Sequence, residues 1–230
     1  MEISIARDGP ARPGADVRLI ETLRIEPGAK LPLLAWHERR LRASCATLGY
    51  GNPDANMADV MTRHAQSLDP TQTHRLRLLV AHDGSHTIES HPLSDTPTPV
   101  KLRLHPEPLS ADAFWLAHKT THRPWYDQAR QWLAAHPAYF DVLYVNEDDQ
   151  ACEGSRSNLY VRDDRGQWLT PPAENGLLPG VQRQALLDQG LARVAPISRR
   201  DLLQAEGLRV SNALRGWLDA LPLSGGQTRG

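Results

Sequence analysis

The strand signals of this chain come in hairpins, and that arrangement restricts the fold more than any other feature of the sequence. Leu76, Leu78 and Val80 alternate with Arg and His neighbours, Asp83-Gly84 provides a turn, and Thr87-Ile88 begins a return strand. The regular alternation of strands and helices that a doubly wound parallel sheet requires is not seen in the pattern. The sequence therefore predicts an α+β fold.

The remaining elements follow from hydrophobic periodicity and from turn residues. Helical spacing is clearest in the segment that ends at Leu48, because Gly49 stands where a helix C-cap belongs. The residues at the end of the chain are expected to be frayed. The predicted strands cover residues 17–25, 101–106, 140–145, 157–161 and 208–211, and the predicted helices cover residues 34–48, 53–67, 126–135 and 181–191.

A proline-rich stretch predicts the division into domains. The segment Pro92–Pro99 (PLSDTPTP) is extended and turn-rich, which is typical of a linker. We therefore expect a smaller N-terminal α/β domain over residues 1–95 and a larger C-terminal domain over residues 96–230.

Composition excludes several classes of function. Lys and Arg number 26 against 27 Asp and Glu, so the chain lacks the basic excess of a nucleic-acid binder. Two cysteines, Cys45 and Cys152, are too few for a disulfide framework or a cysteine zinc site, and the ten histidines form no evident metal motif. The sequence shows neither an apolar N-terminal run nor a membrane span, so a cytoplasmic protein without a metal is expected.

Lys119 is a candidate catalytic residue on its local context. It is one of only three lysines, and its neighbours in AHKTTHRPWYD are apolar, hydroxyl-bearing or aromatic rather than acidic. Desolvation and nearby cations such as Arg123 lower the pKa of a lysine and supply the neutral amine that attacks an aldehyde. The alternative is an ordinary solvated surface lysine.

Three further segments carry groups suited to binding a ligand. Glu153 precedes a glycine and small hydroxyl residues, Pro179-Gly180 opens a predicted helix whose free N–H groups suit a phosphate, and Arg40 could clamp an anion. Taken singly, each is better explained as a solvated surface group or a common helix start.

Together with Lys119, these segments resemble the serial motifs of the class IV aminotransferase family, the fold-type IV enzymes that use pyridoxal 5′-phosphate (PLP). The resemblance runs from about Leu19 to Leu218 and implies a two-domain fold like that of the D-amino-acid and branched-chain aminotransferases. The segment HKTTHRPWYD is most similar to 4-amino-4-deoxychorismate lyase. The motifs that carry the family resemblance are HERRL, HKTTHRPWYD, EGSRSNLYV, LLPGVQR and SNALRGW.

The resemblance implies a role for each matching residue. Lys119 would hold PLP as a Schiff base and move the proton, and Glu153 would face the pyridine nitrogen and keep it protonated. The phosphate would be bound by Arg40, by the backbone N–H groups of Val181 and Gln182, and near Asn212 and Ala213, where alanine offers only its backbone. Thr22 and Arg123 are the candidates for substrate contact.

The function implied first is a lyase that converts 4-amino-4-deoxychorismate to 4-aminobenzoate and pyruvate for folate biosynthesis. The alternatives are an aminotransferase for branched-chain or D-amino acids, or a non-catalytic relative of the fold. The last is suggested by Ala213 and by the N-terminal segment, where DVRLIETLR stands in place of a longer family sequence. The resemblance also implies a homodimer and a small amine or amino-acid substrate.

Overall fold

The computed structural model describes residue 14 and residues 16–51 and 56–223. The N-terminal part is an antiparallel sheet covered by two helices. Its strands lie in the order β1-β2-β3. They are β1 (Leu19–Ile25), β2 (His74–Val80) and β3 (His86–Pro92), and the helices are α1 (Leu34–Leu48) and α2 (Met57–Gln66).

The alternation in the sequence sets the register of this sheet. In β1 every second side chain from Leu19 to Ile25 is buried, and β2 shows the same pattern. The buried face packs on the helices, with Leu41 and Met61 in the same core cluster. Helix α1 ends at Gly49, whose φ of 71° is the left-handed conformation that glycine adopts readily.

The C-terminal part combines two further sheets and four short helices. One sheet has the order β4-β5-β6 and the other has the order β11-β10-β7-β8-β9. The strands are β4 (Lys101–Leu104), β5 (Tyr139–Val145), β6 (Ala151–Gly154), β7 (Asn158–Arg162), β8 (Trp168–Thr170), β9 (Arg193–Val194), β10 (Leu208–Asn212) and β11 (Gly216–Ala220). The helices are α3 (Ala113–Leu116), α4 (Asp127–Ala135), α5 (Val181–Asp188) and α6 (Arg199–Gln204), with 3₁₀ turns at Pro124–Tyr126 and Ala173–Asn175.

The segment that carries Lys119 attaches to the first strand of the N-terminal sheet. The backbone N–H of Ile20 donates to the Lys119 carbonyl at 2.8 Å, and the N–H of Thr121 donates to the Arg18 carbonyl at 2.9 Å. Leu19 and Thr120 form an antiparallel bridge. These bonds fix the lysine backbone at the junction between the N-terminal sheet and the C-terminal part.

The α+β prediction is confirmed, since antiparallel pairings predominate and the predicted hairpin forms between β2 and β3. β11, residues 216–220, was not predicted and pairs with β10 along its length. The end of the chain, which was expected to be frayed, lies outside the described residues from residue 224 onward. The last helix predicted to reach residue 191 ends at Asp188, and α6 was not predicted. The predicted start of the second helix, residue 53, lies outside the described residues.

The domain boundary near residue 95 stays a prediction. Residues 93–99 have no regular secondary structure between β3 and β4, as a linker would. Among the described residues, no helix combines the length and the apolar character needed to cross a membrane.

Candidate active site

One pocket of about 220 Å³ gathers eight of the nine residues that the sequence singled out. Gln182, the ninth, is the second residue of α5 and does not line the pocket surface. Segments far apart in sequence, from β1 to the turn after β10, therefore converge on one cavity. The eight are Thr22, Arg40, Lys119, Arg123, Glu153, Val181, Asn212 and Ala213.

Lys119 has the electrostatic surroundings of a neutral amine. Burial lowers its pKa to about 7, and the positive charges of Arg123 and Arg40 act in the same direction. Glu21 and Glu153 oppose the shift without reversing it. Within the described residues its ammonium forms no hydrogen bond or ion pair, so the nitrogen is free to react with a ligand in the pocket.

Glu153 is the buried acid of the site. Burial raises its pKa to about 7, while Arg123, the Tyr126 hydroxyl and the backbone N–H of Leu178 favour the ionised form. Tyr126 donates to one carboxyl oxygen at 2.6 Å, and Asn158 Nδ2 approaches the other at 3.4 Å. A positively charged group placed against this carboxyl would keep it ionised, because opposite charges stabilise each other at low dielectric.

Arg40 forms a bidentate ion pair with Glu21, a residue that the sequence did not single out. Glu21 accepts from Arg40 Nε at 2.9 Å and from Nη2 at 2.5 Å, and from His37 Nδ1 at 2.6 Å. Burial alone would raise the pKa of Glu21, but the Arg40 charge and the His37 hydrogen bond lower it to about 2. The bidentate pair fixes the guanidinium plane at the pocket wall.

The turn after Glu153 is built around a second buried acid, Asp141 of β5. Its carboxylate accepts from the hydroxyls of Ser155 at 2.6 Å and Ser157 at 2.5 Å, and from the backbone N–H of Arg156 at 3.1 Å. A Cβ on Gly154 would overlap the Asp141 carboxylate, so only glycine fits there. Asp141 thus determines the path of the segment that presents Glu153.

The N-terminus of α5 faces the pocket without a capping side chain. Gly180 is its N-cap, and among the described residues no side-chain capping bond forms there. A Cβ on Gly180 would overlap Asn158 Oδ1, so the backbone can approach this closely only as glycine. Free N–H groups and the positive end of the helix dipole form a binding site for an anion.

The turn after β10 completes the wall beside α5. The side chain of Asn212 is used internally, since its Oδ1 accepts from the N–H groups of Leu214 and Arg215 at 3.1 and 2.8 Å. Ala213 lines the pocket, and among the described residues its backbone N–H has no hydrogen-bond acceptor.

The sequence and the fold are similar to those of known proteins. Residues 18–221 match the profile of the family described as amino-transferase class IV. The chain belongs to this family. Its members are PLP-dependent enzymes, so the chain is an enzyme of the same class. A curated relative from Schizosaccharomyces pombe, provisionally named aminodeoxychorismate lyase, is 30% identical over 164 residues, which cover 70% of each protein.

Two solved structures extend the comparison. A provisionally named amino-acid aminotransferase from Mesorhizobium loti is 34% identical, with a TM-score of 0.81 over 90% of this chain and 100% of that one. A hypothetical aminotransferase from Mycobacterium tuberculosis, in a PLP-bound form, is 22% identical, with a TM-score of 0.70 over 92% of this chain and 83% of that one. The class IV aminotransferase fold is therefore shown, and the second likeness concerns the fold alone.

Sequence reasoning missed several residues of this class IV site. Asp141 carries a visible signal, a lone acid in the otherwise apolar strand FDVLYV, because a buried carboxylate needs several donors. Tyr126 carries none beyond its position inside the HKTTHRPWYD motif, and Glu21 carries none at all, since it lies outside the recognised motifs. Gly180, named from the sequence as the start of a helix suited to a phosphate, also lines the pocket. Six other residues line it without a prior assignment: Arg156, Ser157, Asn158, Leu178, Ser211 and Leu214.

Cys152, next to Glu153, takes no part in the pocket. Its thiol is buried and contacts the carbonyl oxygen of Asn175 at 3.1 Å. Burial, reinforced by the Glu153 charge, raises its pKa to about 12, so it is not a nucleophile at neutral pH.

Proposed function

We propose that this chain is a PLP-dependent lyase that converts 4-amino-4-deoxychorismate to 4-aminobenzoate and pyruvate. The observation that carries the proposal is the pairing of Lys119 and Glu153 in one pocket, with Tyr126 of the HKTTHRPWYD segment donating to Glu153. The provisional name of the fission-yeast relative supports the same reaction.

The residues present fit PLP. An amine with a pKa of about 7 suits the cofactor's aldehyde, and a buried carboxylate suits its pyridine nitrogen. The uncapped start of α5 at Val181 and Gln182, with Ala213, suits its phosphate. Arg40 would add a cation there. When bound, PLP supplies an electron sink for charge that develops on the carbon bearing the substrate amine.

Lys119 would act as the base of the reaction. Its neutral Nζ takes the proton from the amine-bearing carbon, and a pKa near the working pH makes both forms of the lysine available. As the ring becomes aromatic, the bond between the ring carbon and the enolpyruvyl oxygen breaks, and the electron pair of that bond leaves with the oxygen. The proton on Lys119 can then return to the departing enol, which becomes pyruvate.

Glu153 and Arg123 would set the charges around this step. The Glu153 carboxylate would face the pyridine nitrogen of PLP and keep it protonated. Hydrogen bonds from Tyr126 and Asn158 fix the orientation of this carboxylate. Arg123 lies over the Tyr126 ring at 4.7 Å and lowers the pKa of Lys119, so it links the acid and the base of the site. With Thr22, it would contact the substrate.

The test is the release of pyruvate from 4-amino-4-deoxychorismate by the PLP-loaded protein, followed through a coupled dehydrogenase. We expect equal amounts of pyruvate and 4-aminobenzoate, and no turnover by Lys119→Ala. PLP-loaded wild-type protein that releases no pyruvate would refute the lyase proposal.

An aminotransferase is the second candidate, because the Mesorhizobium loti structure with that provisional name is 34% identical. Its half-reaction is distinctive, since amino acids should bleach the visible absorbance of the PLP-loaded protein. A broad panel of branched-chain and D-amino acids that leaves the spectrum unchanged would exclude it. We further propose a cytoplasmic homodimer, which light scattering on the purified protein would test.

A further inference from the structure

A second cavity of about 620 Å³ adjoins the candidate active pocket. We call it the outer groove. Three residues face both cavities: Arg156, Asn212 and Leu214. The groove thus continues the pocket past the turn after β10, towards the linker and the start of β4.

The outer groove is lined by cations and by no acid among the described residues. Its charged side chains are Arg75, Lys101, Arg156 and Arg215, and its apolar surface comes mainly from prolines, Tyr139 and Phe140. Two acids lie beside these cations. Asp141 is enclosed by the serine turn, with its Oδ1 4.0 Å from Arg156 Nε, and Asp95 lies 3.6 Å from Arg24 and also acts on Arg215. The groove therefore carries an excess of positive charge.

Arg75 is the least satisfied of these cations. In the register of the sheet it lies directly opposite Arg24 of β1 on one side and opposite His91 of β3 on the other. Its Nε is buried without a hydrogen-bond partner, and its side chain forms no ion pair with a described residue. Like charges directly opposite each other destabilise a sheet, and a buried unpaired donor is also unfavourable.

Arg215, in the turn after β10, contributes a second guanidinium to the outer groove. One of its nitrogens donates to the carbonyl of Ser94. Burial lowers its pKa, and the positive charges of Arg24 and Arg75 contribute to the same shift, which Asp95 opposes. Cations that repel each other in the unliganded protein are stabilised when an anion lies between them.

We propose that the outer groove binds a substrate carboxylate that is remote from the reacting amine. The inference rests on the proposed lyase function and deepens it. In an α-amino acid the carboxylate is attached to the amine-bearing carbon and would stay beside Lys119. A cyclic amino-carboxylate instead carries a carboxylate on the far side of its ring from the amine, and the arginines of the groove would bind that carboxylate. The groove thus selects ring carboxylates over simple α-amino acids.

The experiment measures equilibrium binding of 4-aminobenzoate to the PLP-loaded protein by calorimetry. Aniline, which has the same ring and amine but no carboxylate, is the matched ligand. The variants are Arg75→Gln and Arg215→Gln. The control is Arg77→Gln, two residues along the same strand and outside both cavities.

We expect each groove variant to weaken 4-aminobenzoate binding about tenfold or more, as the loss of a charge-assisted contact predicts. Aniline binding and the PLP absorbance should not change, and Arg77→Gln should bind within about twofold of wild type. Unfolding curves of the same samples show that the variants are folded.

Wild-type protein that does not bind 4-aminobenzoate, or groove variants that bind it like wild type, would overturn the inference. These results are separable from a failure of the lyase proposal. Protein that binds the carboxylate through both arginines but releases no pyruvate would leave the groove assigned and would refute only the reaction.

Discussion

Replacing Asp141 with alanine should weaken both the fold and the cofactor site. The carboxylate accepts from two serine hydroxyls and from the backbone N–H groups of Val142 and Arg156, at distances between 2.5 and 3.1 Å. Asp141, Ser155 and Ser157 are buried, so these donors have little access to water when the acceptor is removed.

The size of the effect follows from the number of stranded donors. A buried donor without a partner costs roughly 1–3 kcal/mol, and the serine hydroxyls can turn towards new acceptors whereas the Val142 N–H cannot. Burial raises the pKa of Asp141, which shows that its charge is itself disfavoured and offsets part of the loss. We therefore expect Asp141→Ala to lower the free energy of unfolding by about 3 kcal/mol.

Urea unfolding followed by circular dichroism measures this change, and PLP titration measures its effect on the site. Asp141→Asn, which keeps the shape and one acceptor oxygen, should lose about 1–2 kcal/mol. Asp127→Ala, which removes an exposed ion pair with Arg130, should change stability by less than about 1 kcal/mol. An Asp141→Ala protein within about 1 kcal/mol of wild type and with unchanged PLP affinity would show that the carboxylate does not organise the turn.

Three further outcomes are expected. Gly180→Ala should weaken PLP binding about tenfold, because its Cβ would displace Asn158; an unchanged affinity would contradict the close approach. In the cofactor-free protein, the rate at which an amine-specific reagent labels Lys119 should rise with pH and level off above pH about 7, where the amine is neutral; a rise that continues to the range of an ordinary lysine would contradict the lowered pKa. Arg75→Gln should stabilise the protein by about 0.2–1 kcal/mol in thermal or urea unfolding, since it removes the repulsion from Arg24; a less stable variant would argue against that repulsion.

Local signals were sufficient for much of the fold. The helix that ends at Gly49 matches its predicted bounds, since one stripe of apolar residues and one αL cap determine it. β11 and α6 were missed for different reasons. β11 contains a single buried side chain, Leu218, and is held by pairing with β10, which a local pattern does not show. α6 spans only six residues, although its start carries a capping box from Ser198.

Residues that line the pocket were predictable where they lie inside a recognisable motif. Lys119 and Glu153 were named from their segments, and they line the same pocket. Glu21 was not, because its role depends on α1 bringing His37 and Arg40 against β1. Such partners are set by packing between elements, and a single sequence does not show which elements meet.

We expect Lys119 to be the residue that holds PLP in this pocket. Reducing the PLP-loaded protein with borohydride and mapping its peptides by mass spectrometry tests this expectation directly, because the chain has only two other lysines, Lys30 and Lys101. We expect one pyridoxyl group, on Lys119, and loss of visible absorbance on reduction. A label on Lys30 or Lys101, or no label on Lys119, would contradict the account.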